Sequence, residues 1–297
     1  MKAKLKAHLF TLPRWFALPF FGCSLLMGAV LAGGINANAW IAFVAGMLLM
    51  AGGHSWNSFL DYAWTGLDKG EIEDRSAEKD YTGGQNLIEA GIVTVREVAI
   101  NAIAWYLLSA VPIIYLAFTV GWPIIIIWIM SMLVTFWYSW GKFNWTHEMA
   151  LAVGVGPGSV LLGMFAVSPN PPWGIGLLAS VPIAIILSYL GLALDEWPDA
   201  EANLKKGVKS VAYMVWKYGV SLEWYASTWL MFLLVFQLFL IQLNILNPAT
   251  ALAFIPAAVV IPLLVMMKGN FRKTMGAIVL IAAFYPILLL VGQIIGG

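Results

Sequence analysis

Apolar residues run in long blocks separated by short charged clusters, and the blocks are nearly equal in length. No Asp, Glu, Lys or Arg occurs from Trp15 to Leu60, Val98 to Gly141, Met149 to Leu194 or Trp224 to Met267. A last charge-free stretch runs from Thr274 to Gly297. Each of the first four blocks is about 45 residues, enough for two bilayer-spanning helices of ~20 residues and a tight turn. The fifth fits one helix. Gly33-Gly34-Ile35-Asn36, Gly121-Trp122-Pro123, Ser168 to Pro172 and Asn244 to Pro248 fall at the midpoints of the four long blocks, where Gly, Pro and Asn punctuate helices. The pattern therefore predicts an all-α polytopic bundle of nine membrane spans. They cover 14–33, 38–60, 96–119, 122–140, 148–168, 173–194, 221–243, 248–267 and 274–295.

Composition excludes the soluble classes. The chain is 61% hydrophobic and only 10% charged, whereas soluble domains carry about 25% charged residues. The net charge of +1 carries no signature of a nucleic-acid partner. Cys23 is the only cysteine, which rules out an intramolecular disulfide and a cysteine metal site. There is no low-complexity segment, so residues 1–297 read as one integral membrane domain.

Every charge falls on one set of loops. Lys2, Lys4, Lys6, Arg14, Lys69, Arg75, Lys79, Lys142, Lys205, Lys206, Lys209, Lys268, Arg272 and Lys273 all lie there, and the opposite turns have no Lys or Arg. The positive-inside rule places the N-terminus and the charged loops in the cytoplasm and the C-terminus outside, in a multi-pass protein of the cell membrane. The first apolar segment follows basic residues but has no small-residue cleavage site, and is read as span one.

Two of the charged loops carry the same acidic spacing. After span two, Asn57 and Asp61 are four apart and Asp61 and Asp68 seven apart, so on a continuing helix the three share nearly one face. After span six, Asp195 and Asp199 are again i, i+4, with Pro198 placed to kink or end the helix. Hard oxygen ligands pointing one way suit Mg²⁺, which takes few carboxylates and keeps waters and phosphate oxygens. Lys69 and Arg75 follow the first motif, and Lys205, Lys206 and Lys209 the second. Carboxylates with Lys and Arg beside them match a metal–diphosphate complex. Ordinary solvation explains a single charged loop as well. It does not explain two loops with one spacing, four spans apart, which also suggests related halves over 14–140 and 148–267.

These residues resemble the UbiA superfamily of intramembrane prenyltransferases. Its two motifs, Asn-x-x-x-Asp with further Asp and Asp-x-x-x-Asp, are matched by Asn57, Asp61 and Asp68 and by Asp195 and Asp199. Finer features look like the branch that prenylates 1,4-dihydroxy-2-naphthoate. They are Gly66 and Asp68, Glu148 followed by Gly156-Pro157, and the Gly207-Val208-Lys209-Ser210 element, while Tyr138 at the end of span four matches a Tyr common across the superfamily. The context of the second motif, Ala193-Leu194-Asp195-Glu196, departs from the family's usual Asn and Arg.

The resemblance implies Mg²⁺-dependent transfer of an isoprenyl group, such as geranyl or geranylgeranyl, from its diphosphate to a lipophilic acceptor in the bilayer. It implies two Mg²⁺ ions on Asp61/Asp68 and Asp195/Asp199, and a diphosphate held by Asn57, Lys69, Arg75, Lys205, Lys206 and Lys209, with Lys142 assisting. Tyr138 would face the allylic cation left when diphosphate departs. His54, Glu148 and Ser139 are candidates to line a central chamber or meet the acceptor, and His147 beside Glu148 is of the same kind. The favoured acceptor is a quinone-precursor aromatic ring. A glycerol-phosphate lipid, as in archaeal ether-lipid synthesis, or a tetrapyrrole is the alternative. A divalent-cation transporter is the reading from another class, but transporters place ionisable groups at mid-membrane, and here all charges stay at one face with no pathway of ionisable groups across.

Overall fold

A computed structural model describes residues 2–15, 18–70 and 87–296; the side chains of 18–20 and 194–195 lie outside that description. The described residues are helical throughout, apart from turns and short connections. α1 (Lys2–Lys6) precedes α2 (Leu18–Leu31), α3 (Ala37–Ala63), α4 (Val95–Thr119) and α5 (Pro123–Gly141). The second half begins with α6 (His147–Val167) and α7 (Trp173–Gly191). Three short helices follow, α8 (Leu192–Glu196), α9 (Ala200–Lys205) and α10 (Val211–Lys217). Then come α11 (Leu222–Gln242), α12 (Pro248–Met266) and α13 (Phe271–Gly296).

Among the described residues eight helices, α3 to α7 and α11 to α13, are long and apolar enough to cross a membrane. They coincide with eight of the nine expected spans. The first expected span is represented by α2, whose 14 residues reach only about 21 Å at 1.5 Å per residue. Arg14, where span one was expected to begin, takes a left-handed φ of 52°, which a helix cannot continue through.

Local chemistry sets the helix ends. The Asn36 side chain accepts from Ala39 N at 3.1 Å to cap α3, after Gly33 and Gly34 turn the chain with φ of 134° and 110°. Thr94 and Glu97 form a capping box on α4. Ser210 caps α10 and Ser221 caps α11 through backbone amides three residues on. Pro123 occupies the first turn of α5, where no amide hydrogen is needed.

Lipid is as apolar as leucine, so the helices hold together by close approach and internal hydrogen bonds. A Cβ on Gly28 would lie 1.9 Å from Val160 O, and one on Gly163 1.9 Å from Leu25 O. Those two glycines let α2 and α6 meet backbone to backbone. Buried polar groups pair inside. Tyr285 OH donates to Gln237 Oε1 at 2.7 Å, Gln237 Nε2 to Thr250 O at 2.8 Å, and Trp128 Nε1 to Ser109 Oγ at 2.9 Å. Large apolar side chains such as Leu107, Val111, Phe118 and Met266 are exposed on the outside, as a hydrocarbon surround requires.

Two spans widen locally. α6 has a π-type turn over Gly154–Gly158, around Pro157, and α7 has another over Ile186–Gly191. Such bulges arise where the i→i−4 ladder is interrupted. The one in α7 leads directly into the second acidic motif.

Candidate active site

The charged ends of α3, α5, α6 and α7 meet on one side, and the site is built from them. α3 ends at Ala63 rather than continuing through Asp68. Trp64 and Thr65 both donate to Leu60 O, and Gly66 then turns with φ of 70°. The expected single helical face for Asn57, Asp61 and Asp68 is thus replaced by a folded-back turn. Asp68 N donates to Asp61 O at 3.3 Å, and Thr65 Oγ1 to the same carbonyl at 3.1 Å. The glycine ends the helix, and the turn returns Asp68 towards Asp61 by a different route.

Asp61 is buried, only 4% exposed. Its Oδ2 accepts from Asn57 Nδ2 at 2.9 Å and pairs with Lys142 Nζ. Asn57 Nδ2 also donates to Ser139 Oγ at 3.1 Å, which ties the first motif to α5. Asp61 Oδ1 is buried and has no hydrogen-bond partner among the described residues. Lys142 Nζ lies 5.1 Å from the centre of the Tyr138 ring, so one ammonium faces both the carboxylate and the aromatic face. Tyr138 and Lys142 are four apart at the end of α5, which puts them on one side.

α5 turns sharply into α6. A Cβ on Gly141 would lie 2.8 Å from His147 N, and Asn144 N and Thr146 N both donate to Gly141 O. Only a residue without a side chain permits this return. It sets His147 beside Tyr138, with ring centres 5.7 Å apart.

The second motif spans α8, one tight turn at Trp197–Asp199 and α9. Pro198 does not end the helical path; it stands at the start of that tight turn. Asp199 is half-buried. The Asp195 side chain lies outside the described residues, as do Arg75 and the acidic stretch from Glu71 to Asp80.

The two loops pack on each other. Leu67 from the first shares an apolar cluster with Ala200, Val208 and Tyr213 from the second. Lys206 Nζ donates to Leu67 O at 2.8 Å, and Lys209 N donates to Lys142 O at 2.7 Å. The basic candidates separate accordingly. Lys142 and Lys206 stand at the seam between the loops, and Lys209 joins it through its backbone amide while its side chain is exposed. Lys69 is exposed, with Nζ 5.6 Å from the Tyr62 ring centre. Lys205 pairs with Glu201 on the exposed face of α9 at 2.8 Å. His54 is half-buried in α3 one turn before Ser58, whose hydroxyl donates to His54 O at 3.2 Å.

A further polar cluster lies beneath the second motif. His147, Glu148 and Glu196 are 0%, 3% and 7% exposed. His147 Nε2 contacts Glu196 Oε1, and His147 Nδ1 stands 3.3 Å from Glu148 Oε2. Glu148 Oε1 accepts from Val211 N. Sequence reading weighed His147 and Glu148 but passed over Glu196. Its signal was its place inside the second motif, one residue after Asp195 and off the Asp195/Asp199 spacing.

Asp61 offers one hard donor of the kind Mg²⁺ takes, its buried Oδ1, which has no partner among the described residues.

No protein-family model matches the sequence, and no curated protein matches it. Solved structures share the fold over nearly its whole length. A digeranylgeranylglyceryl phosphate synthase structure superposes with a TM-score of 0.62 at 17% identity, covering 100% of this chain and 99% of the other. An apo UbiA homologue from Aeropyrum pernix K1 gives 0.67 at 14% identity, covering 95% and 98%. A UbiA homologue from Archaeoglobus fulgidus bound to DMAPP and Mg²⁺ gives 0.58 at 13%, covering 96% and 98%. The chain therefore has the UbiA fold.

Proposed function

We propose that this protein is a Mg²⁺-dependent prenyltransferase, moving an isoprenyl group from its diphosphate to a membrane-soluble aromatic acceptor of the 1,4-dihydroxy-2-naphthoate kind. The observation that carries the reading is the junction of the two acidic loops, where Lys206 reaches the Leu67 carbonyl and Lys142 joins Asp61 to the Lys209 amide. The UbiA homologue bound to DMAPP and Mg²⁺ supports the same chemistry on this fold.

Asp61 and Asp68 would hold one Mg²⁺, and Asp195 and Asp199 a second. When bound, the ions neutralise charge as it develops on the leaving diphosphate. Lys142, Lys206 and Lys209 offer ammonium donors to the phosphate oxygens from the seam, with Lys69 and Arg75 as outer candidates. Tyr138 already presents its face to one cation, the Lys142 ammonium. The same face suits an allylic cation formed beside it. The apolar bundle excludes the water that would quench that cation. N-terminus and charged loops face the cytoplasm in this scheme, where soluble diphosphate is available.

The acceptor assignment rests on Gly66 with Asp68, Glu148 with Gly156-Pro157, and Gly207 to Ser210. A glycerol-phosphate lipid acceptor is the second reading, favoured by the full-length likeness to the digeranylgeranylglyceryl phosphate synthase. Purified protein assayed with Mg²⁺ and geranylgeranyl diphosphate, against dihydroxynaphthoate, hydroxybenzoate and geranylgeranylglyceryl phosphate, separates the two. Absence of prenylated product from every acceptor would overturn the reading.

A further inference from the structure

The His147–Glu148–Glu196 cluster has no step in the diphosphate chemistry above, although Glu148 also enters the acceptor assignment, and with both carboxylates ionised its charge does not balance. Two buried carboxylates face one imidazole, and among the described residues neither glutamate pairs with a Lys or Arg. With both carboxylates ionised, even a protonated His147 leaves one negative charge in excess in an apolar setting, where an uncompensated ion is costly. Among the described residues, His147 Nδ1 and Glu196 Oε2 are buried without a hydrogen bond, which is costly if left so. Glu148 Oε2 approaches His147 Nδ1 at 3.3 Å without the alignment of a hydrogen bond.

We propose that His147, Glu148 and Glu196 form a binding site for a transition-metal dication of the Zn²⁺ class, separate from the Mg²⁺ and diphosphate site. One ligand atom from each residue falls within 4.8 Å of the others. Ligands ~2.0–2.2 Å from a tetrahedral Zn²⁺ lie about 3.3–3.6 Å apart, so side-chain shifts of up to about an ångström complete the set. A dication with two carboxylates and a neutral imidazole is electroneutral, which removes the charge excess. The imidazole and the dry setting select against Mg²⁺, which favours oxygen ligands and keeps several waters.

The location gives the ion a positioning role. His147 and Glu148 open α6, Glu196 closes α8, and Glu148 Oε1 also holds Val211 N at the start of α10. An ion bound here pins the segment carrying Asp195 and Asp199 to the α5–α6 turn that carries Lys142. This holds whichever acceptor the protein uses.

The test uses the full chain, purified in detergent without a histidine tag. It is loaded with Zn²⁺ in excess Mg²⁺, passed through gel filtration and assayed for metal by mass spectrometry. Co²⁺ loading, read by its visible d–d bands, is the second readout. Wild type should retain about one Zn²⁺ per chain. Glu148→Gln and Glu196→Gln, close to isosteric, should each weaken retention by at least ~10-fold while eluting as monodisperse protein. Asp61→Asn should retain the ion. If His147→Ala does not fold, the two glutamine variants decide the matter. Wild type emerging essentially free of Zn²⁺ overturns the proposal, because protons alone then balance the cluster. So does equal retention by Glu196→Gln, or loss of Zn²⁺ from Asp61→Asn, which would place the ion in the diphosphate site.

Discussion

Lys142 Nζ lies 2.5 Å from Asp61 Oδ2, with the two side chains 15% and 6% exposed. An ion pair this deep holds together two helices far apart in sequence, and breaking it strands a charge. Lys142→Ala should lower stability in detergent by about 3 kcal/mol. The paired replacement Lys142→Met with Asp61→Leu should recover most of that loss while remaining inactive. Thermal unfolding of the three variants checks it. No recovery in the double variant would mean that the pair is not what the single change disrupts.

Asp199→Ala and Asp68→Ala should each abolish turnover while leaving the melting temperature within a few degrees. Both carboxylates are only half-buried, which limits the cost of removing them. Excess EDTA should silence wild type in the same assay. Activity within a few fold of wild type in either variant would reduce that residue to loop solvation.

Tyr138 separates the ring from its hydroxyl. Tyr138→Phe keeps the π-face and should retain most activity; Tyr138→Ala should lose it, with binding of an unreactive diphosphate analogue little changed in both. If Phe is as inactive as Ala, the hydroxyl is the operative group. Normal turnover in both would make Tyr138 an interfacial anchor only.

The lysines should rank by position. Lys209→Ala, at the seam, should weaken analogue binding by ~1.5–3 kcal/mol, the scale of a charge-assisted hydrogen bond. Lys205→Ala should change it by less than about 0.5 kcal/mol, because Lys205 pairs with Glu201 on an exposed face. Calorimetric titration of each variant gives the comparison, and a reversed order would move the diphosphate away from the seam.

Much of this was legible in the sequence, for a physical reason. Helices in lipid must be long, continuous and uncharged, so the charge-free blocks alone located eight spans, and the midpoint Gly and Pro clusters located their turns. Side-chain contacts across the bundle were not legible. Lys142 ranked as a minor candidate because nothing local connects it with Asp61; only the fold of α5 against α3 does. Asp68 was placed on a helical face because the seven-residue spacing permits it. The positive φ at Gly66 ends that helix instead. Glu196 was hidden by its neighbour, since its meaning depends on His147 across the α6–α7 packing.

The confinement of Asp, Glu, Lys and Arg to the ends of the apolar blocks has an energetic corollary. A charge moved through the whole membrane field responds by about 2.3 kcal/mol per 100 mV. Here the charged side chains stand in the end turns of the spans and none near their middle, so the proposed reaction at one rim would move no charge across it. On the proposed function the protein is expected to be electrically silent. In proteoliposomes its turnover should be the same with and without an imposed potassium diffusion potential, whatever its sign, and its substrates and products exchange sideways with the leaflet or with the adjoining water.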